Sequence, residues 1–219
     1  MRELTVNTFL TLDGVMQAPG GPEEDPSGGF AQGGWSVNYW DDAMGRIMGD
    51  AMAKPFDLVL GRKTYEIFAS HWPHSDEAAA KPLNDATKYV ASRTLESQSL
   101  EWSSSVLIEG DVPEAIAALK QGDGPELQVH GSSNLLQTLL RHELVDLFRL
   151  WTFPLVVGPG KRLFADGTIP RGLKLVDNKV SSTGVVIGTY VPAGEIETGS
   201  FALDEPTDAE IRRRAAWED

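Results

Sequence analysis

Short apolar runs of strand length alternate with segments of helical spacing through most of the chain, and this alternation constrains the fold most. Leu4 to Leu10 alternates as a strand and stops at the turn signal Leu12-Asp13-Gly14. Trp40 to Ala53 reads as a helix, with Asp41 and Asp42 near its N-terminus. Its Met44, Ile47, Met48 and Met52 recur at helical spacing and read as core filling. Lys54-Pro55 ends that helix, and a strand at 57–60 runs through Gly61-Arg62-Lys63-Thr64 into a second helical pattern. Lys88 to Arg93, Val106 to Ile108 and Leu127 to His130 are further strands. A helix begins at Pro113, with proline in its first turn, and another carries Leu135, Leu136, Leu139 and Leu140. Such alternation predicts an α/β fold built on a mostly parallel sheet flanked by helices.

From Asp146 the pattern changes. Leu147 to Phe153 is one long strand, and residues 173–180 and 185–191 pair as an antiparallel hairpin through Ser181-Ser182-Thr183-Gly184. Phe148, Leu150, Trp151 and Phe153 cannot all point to one side of a sheet, so helices or another subunit must cover both faces. The rest, from Pro192, is polar and acidic. Thr207 and Glu210 form a capping-box pattern for a short helix bearing Arg212, Arg213 and Arg214, with Trp217 available for docking on a neighbour. One domain over 1–192 and an appended tail over 193–219 are expected.

The charge balance narrows the partners. Nineteen Lys and Arg against 32 Asp and Glu give a net charge of −13, which argues against nucleic acid, although local basic clusters can still hold a small anion. With no cysteine there is no disulfide, cysteine nucleophile or thiolate metal site. His71 and His74 lack a third ligand nearby, so no metal is expected. No apolar run has the length of a signal segment or membrane span, and a cytoplasmic protein away from membranes is expected.

Three strand ends carry groups suited to an anion. Gly61-Arg62-Lys63-Thr64 places backbone N–H groups, a hydroxyl and two cations at a helix start, an arrangement that suits a phosphate. The other reading is an ordinary turn with solvated basic residues. Ser92-Arg93 ends a second strand, and Gly131-Ser132-Ser133 leads from a strand into a helix. Between Gln17 and Gly34 the composition turns to glycine and proline, which suggests a lid or substrate loop without regular structure. Trp35, Tyr39 and Trp40 at its end are placed to stack on a flat substrate, or else are core contacts anchoring the loop.

Together these pieces resemble the dihydrofolate-reductase fold and, more closely, the stand-alone relatives of the riboflavin-biosynthesis reductase domain, the RibD C-terminal domain family. The resemblance rests on Thr11-Leu12-Asp13-Gly14, Leu60 to Glu66, Val90-Ala91-Ser92-Arg93, Val129-His130-Gly131-Ser132, Leu144-Val145-Asp146, and Pro154 with Val157 to Phe164. These occur in the family's order over about residues 3 to 191. The resemblance implies an NADPH-dependent reductase acting on a small heterocyclic or carbonyl-like substrate. It implies cofactor contacts at Gly61, Arg62, Lys63, Thr64, Ser92, Arg93, Gly131, Ser132, Ser133 and Leu135. It also implies substrate contacts at Asp13, Gly14, Trp35 and Trp40, and a homodimer, since relatives often pair. Two departures stand out. The family's glycine pair is Gly131-Ser132 here, and for the first-helix carboxylate that handles the pterin ring in dihydrofolate reductases this chain has Asp41 and Asp42, about a turn early. Asp42 is the candidate catalytic acid, or simply a helix-end charge, and no pterin specificity is carried over. A protein of this fold that binds NADPH or another small ligand without turnover is the alternative.

Overall fold

A computed structural model describes residues 1–217 of the 219. The strands are β1 (Leu4–Thr11), β2 (Phe56–Gly61), β3 (Lys88–Ala91), β4 (Ser105–Ile108), β5 (Glu126–Val129), β6 (Leu147–Phe153), β7 (Leu173–Val180) and β8 (Val186–Pro192). The helices are α1 (Asp42–Met52), α2 (Arg62–His71), α3 (Ala80–Asp85), α4 (Val112–Gln121), α5 (Ser133–Arg141) and α6 (Asp208–Ala215). The eight strands form one sheet in the order β4-β3-β2-β5-β1-β6-β8-β7. Pairing is parallel from β4 to β6. β8 is antiparallel to β6, and β7 to β8. This is the mostly parallel α/β sheet with a late hairpin expected from the alternation, in the dihydrofolate-reductase-like arrangement that the resemblance implies.

The parallel strands are buried on both faces, as crossover helices require. On the back face, Leu4, Val6 and Leu10 of β1 join Leu127, Val129, Phe148 and Leu150 under Ile116 of α4 and Leu135, Leu136 and Leu139 of α5. The front face carries two apolar clusters. Trp151 and Phe153 of β6 pack with Trp35, Met44 and Ile187 in one; Phe56, Leu58 and Leu60 of β2 pack with Tyr65, Leu83, Val90 and Trp102 in the other. Both faces of β6 are therefore covered within a single chain, and its apolar pattern needs no second subunit.

The Gly/Pro-rich stretch is not structureless. The Gln17 side chain donates to the Asp25 and Ser27 carbonyls, both at 2.9 Å, and its Oε1 accepts the Lys161 N–H at 3.1 Å. Trp35 Nε1 donates to the Gln17 carbonyl at 2.8 Å, and Lys161 is ion-paired with Asp25. Gly33 makes the close approach possible, since a Cβ there would lie 2.5 Å from the Gly21 carbonyl oxygen. Ala18, Phe30 and Trp35 are buried. The loop is thus a packed segment anchored to the chain after β6.

The tail beyond β8 ends in α6, capped by Thr207, which accepts the Glu210 N–H at 3.3 Å. Every described residue of α6 lies outside the core, and Arg213 sits 4.5 Å over the exposed Trp217 ring.

Candidate functional site

The carboxyl edge of the parallel strands brings together two helix starts that lack side-chain caps. α1, α4 and α6 each have a carboxylate or hydroxyl on the first turn, from Asp41, Asp111 and Thr207. α2, beginning at Gly61, and α5, beginning at Ser132, have none. Uncapped first turns present backbone N–H groups and the positive end of the helix dipole to an anion. Because β2 and β5 are neighbours, these turns touch: Ser132 Oγ accepts the Gly61 N–H at 2.8 Å and donates to Thr64 Oγ1 at 2.6 Å. Gly131 takes a φ of +149°, which favours glycine, but Ser132 holds a φ of +73° as a non-glycine residue.

The remaining candidate residues lie around these two turns. Arg62 and Lys63 are exposed on the first turn of α2; Arg62 reaches Glu66 at 3.3 Å, and Lys63 Nζ donates to Ser27 Oγ at 3.3 Å. Ala91 pairs with Gly61, so exposed Arg93 lies on the adjoining strand end. β3 stops at Ala91, however, and Ser92 Oγ accepts the N–H groups of Thr94 and Leu95 at 3.1 and 3.0 Å, forming a turn. Ser133 is half-buried at the start of α5. Leu135 has its side chain in the back core, beneath Gly61, and supports the turn from behind.

The substrate-side assignments change more. Asp13 accepts from the Thr11 hydroxyl at 2.5 Å, the Gly158 N–H at 2.9 Å and the Val157 N–H at 3.3 Å. Burial raises its pKa, but these hydrogen bonds outweigh that and hold it below the usual carboxylate range. Gly14, at a φ of +79°, takes the left-handed position of the same turn. Asp13 and Gly14 therefore fasten the β1 turn to the loop after β6. Trp35 is 9% exposed, edge-on to Phe153 at 5.2 Å, and is a core contact. Trp40 differs: it is 45% exposed and stacks on buried Trp151 with rings 6.1 Å apart and 5° from parallel. Phe9 packs against both indoles.

Asp42, the candidate acid, is exposed on the first turn of α1 and makes no hydrogen bond among the described residues, as a helix-end charge would. Its neighbour Asp41 does the structural work. Asp41 accepts the Met44 N–H at 2.8 Å, and the Ser182 hydroxyl and N–H at 2.6 and 2.8 Å, which joins α1 to the β7–β8 turn. The Ser182 hydroxyl, ahead of the Met44 N–H, lowers its pKa.

A polar row crosses the front face between the two apolar clusters, and sequence reading missed it. Thr5 and Asn7 of β1 share that face with Gln128 of β5 and Arg149 of β6; Thr5 pairs with Gln128, and Asn7 with Arg149. Thr5 is 0% and Asn7 3% exposed. Thr5 Oγ1, Asn7 Nδ2 and Arg149 Nη1 are buried without a hydrogen-bond partner. His130, just past β5, contacts Gln128 Oε1 at 2.8 Å; burial, then the Arg149 charge, lowers its pKa to about 4. The available signal was polar residues at alternating positions of a strand that a parallel sheet buries on both faces.

A mixed sheet of this strand order, with two abutting uncapped helix starts at its carboxyl edge, has the dihydrofolate-reductase-like α/β fold. The chain belongs to the RibD C-terminal domain family, whose profile matches residues 2–187. It is 27% identical over 198 residues to the uncharacterized protein YyaP of Bacillus subtilis (strain 168), covering 86% of this chain and 94% of that one. A putative riboflavin biosynthesis protein from Shewanella sp. PV-4 superposes with a TM-score of 0.62 at 19% identity, over 88% of this chain and 99% of its own. A pyrimidine reductase-like protein from Corynebacterium diphtheriae gives 0.58 at 13% identity, over 89% and 93%. Dihydrofolate reductase from Enterococcus faecalis, complexed with NADP(H) and RAB-propyl, gives 0.53 at 17%, over 87% and 96%. At these identities the solved structures share the fold. Among the described residues no helix is long and apolar enough to cross a membrane.

Proposed function

We propose that the protein is an NADPH-dependent reductase of a small, flat heterocyclic or carbonyl-like substrate. The observation that carries this reading is the pair of uncapped helix starts joined through Ser132 at the carboxyl edge, with Arg62, Lys63 and Arg93 beside them. The donor set fits a dinucleotide: N–H-rich turns suit a pyrophosphate, and exposed cations suit the extra 2′-phosphate that separates NADPH from NADH. The dihydrofolate reductase of similar fold binds NADP(H). NADPH supplies the hydride when bound. The chain's own work is to hold the phosphates at Gly61–Thr64 and Gly131–Ser133, and to offer the open face of Trp40 to a flat ring. Buried Trp151 and Phe153 and half-buried Phe9 behind it keep water from that side. Loss of NADPH absorbance in the presence of a panel of pterins, pyrimidines and quinones tests the reading. Turnover with at least one member is the expected result; tight NADPH binding without turnover of any would favour the second reading.

That second reading is a ligand-binding protein without turnover, and the exposed, unbonded position of Asp42 favours it. A homodimer is part of the proposal on a separate ground. β7 is an edge strand exposed along its length, with Leu175, Val176 and Val180 open to solvent. Sedimentation as a monomer at micromolar concentration would remove that part.

A further inference from the structure

The back of the β7–β8 hairpin is an apolar face that the chain leaves bare. Through the two antiparallel registers, Leu175 lies across from Tyr190 and Phe148, and Val180 from Val186 and Thr152. Phe148 and Tyr190 belong to the back core, so Leu173, Leu175 and Val180 share the back face, while Lys174, Asp177 and Lys179 take the front. Such alternation marks a strand with one covered face. α4 and α5 cover the back of β1, β5 and β6, yet every residue of β7 is exposed. The face continues into a groove of about 290 Å³ between α5 and the chain that precedes β7, walled by Leu140, Val145, Phe148, Phe164, Ile169 and Leu173. An apolar cavity of about 150 Å³ already holds a benzene ring, so the groove has room for a bulky side chain.

The tail supplies apolar groups that have no seat on their own chain. Its root is fixed beside the groove: the Ala193 N–H donates to the Gly172 carbonyl and the Gly172 N–H to the Gly194 carbonyl, both at 2.9 Å, and Ile196 lines the groove. Beyond it, Phe201 and Leu203 are exposed. They lie among Glu195, Glu197, Asp204, Glu205 and Asp208, in a segment without Lys or Arg. The groove has the opposite sign nearby, with Arg171, paired to Glu143, in its wall and exposed Arg141 next to Leu140 on α5. The free edge of β7 supplies the geometry. A two-fold axis normal to the sheet would set two β7 strands antiparallel with both back faces on one side, and each tail root beside Val180 of the other copy. From Leu173 to Val180, β7 runs about 24 Å at about 3.4 Å per residue. Phe201 and Leu203 reach up to about 18 and 25 Å beyond Ile196. Phe201 then falls on the Leu175–Val180 face of the other copy, and Leu203 at its groove.

We propose that the tail is an exchanged arm: Phe201 and Leu203 of each chain cover the back of β7 and fill the groove of a second copy. This rests on the homodimer and is independent of the reductase chemistry. The family profile ends at residue 187, ahead of the arm.

The test is sedimentation equilibrium of the full chain through the micromolar range, with one variant in the arm and one in its seat. Phe201→Ser with Leu203→Ser removes the anchors, and Ile169→Glu places a carboxylate in the groove against an acidic arm. Each variant is expected to associate at least about tenfold more weakly than the wild type, a modest share of what burying two such side chains is worth. An equimolar mixture of the two should recover dimers, because the intact arm of one variant finds the intact groove of the other. All three positions are exposed, and circular dichroism checks the fold; Leu175→Glu serves where Ile169→Glu does not fold. Undiminished dimers in either variant overturn this inference and leave pairing to the β7 edge alone. Weakened variants that do not complement one another overturn it too, since the arm would then close on its own chain. A monomeric wild type removes the homodimer along with the arm. NADPH titration of the same samples reads the reductase proposal separately.

Discussion

Ser132 Oγ accepts the Gly61 N–H at 2.8 Å and gives its own proton to Thr64 Oγ1 at 2.6 Å, so a single hydroxyl joins the two uncapped helix starts. A Cβ on Gly61 would lie 2.8 Å from the same serine, which shows how tightly the turns abut. The departure from a glycine pair therefore adds a strut as well as crowding the approach. Ser132→Ala loses both hydrogen bonds and keeps the φ of +73°, at a cost of about 1–3 kcal/mol. Ser132→Gly loses the bonds but relieves the backbone, so its unfolding midpoint should fall less than that of Ser132→Ala. Equal loss in denaturant titrations would remove the backbone-strain part of this account.

The two tryptophans of the loop should separate cleanly. Trp35, buried against Phe153, is a core residue, and Trp35→Ala should destabilise by about 3–5 kcal/mol. Trp40 is half-exposed over Trp151, and Trp40→Ala should leave most of the stability while weakening a flat substrate by about 0.5–1.5 kcal/mol. Thermal melts and substrate titrations of both variants check this. A Trp40→Ala protein that melts as early as Trp35→Ala would make both residues structural.

Asp42 offers a contrast in the opposite direction. Exposed and without a hydrogen-bond partner, it should be dispensable for chemistry. Asp42→Asn is expected to keep turnover within about twofold, with a loss of at most about 1 kcal/mol from the helix dipole. A fall of about 10²-fold at unchanged NADPH affinity would restore it as the proton donor.

His130 makes stability depend on acidity. Its pKa falls from 6.5 to about 4 in the folded chain, through burial and then through Arg149. Between those values the unfolded chain takes up a proton that the folded chain refuses, so stability is lost as the pH falls from about 6.5 toward 4. His130→Gln keeps a polar partner for Gln128 and should flatten the slope in that window. Urea midpoints measured from pH 7 to pH 4 give the comparison; parallel slopes for wild type and variant would mean that other groups set the acid limit.

Much of the frame was legible in the residues. β6 was read with its observed ends, and the Thr207–Glu210 cap was read from spacing alone, because both are local patterns. α3 was missed since it is a short helix with Pro82 inside it. The order of the Gly/Pro-rich loop was not legible because its bonds are long-range: Gln17 reaches Lys161, and Trp35 closes on Gln17. Of the site, the anion edge was legible from Gly-Arg-Lys-Thr and Gly-Ser-Ser as turn chemistry. The tertiary roles of the Asp13 and Leu135 side chains were not legible, because they depend on distant partners, here Gly158 and the back core. The polar row was hidden because Asn7 and Arg149 become neighbours only through the β1–β6 register.

The central claim is that the edge formed by Gly61–Thr64, Arg93 and Gly131–Ser133 holds NADPH. Parallel calorimetric titrations of wild type and Arg62→Ala with NADPH and NADH test it most directly. The wild type should bind NADPH at least about tenfold more tightly, roughly 1.4 kcal/mol, and Arg62→Ala should lose most of that difference. Equal affinity of the wild type for both cofactors, or no binding of either, would contradict it.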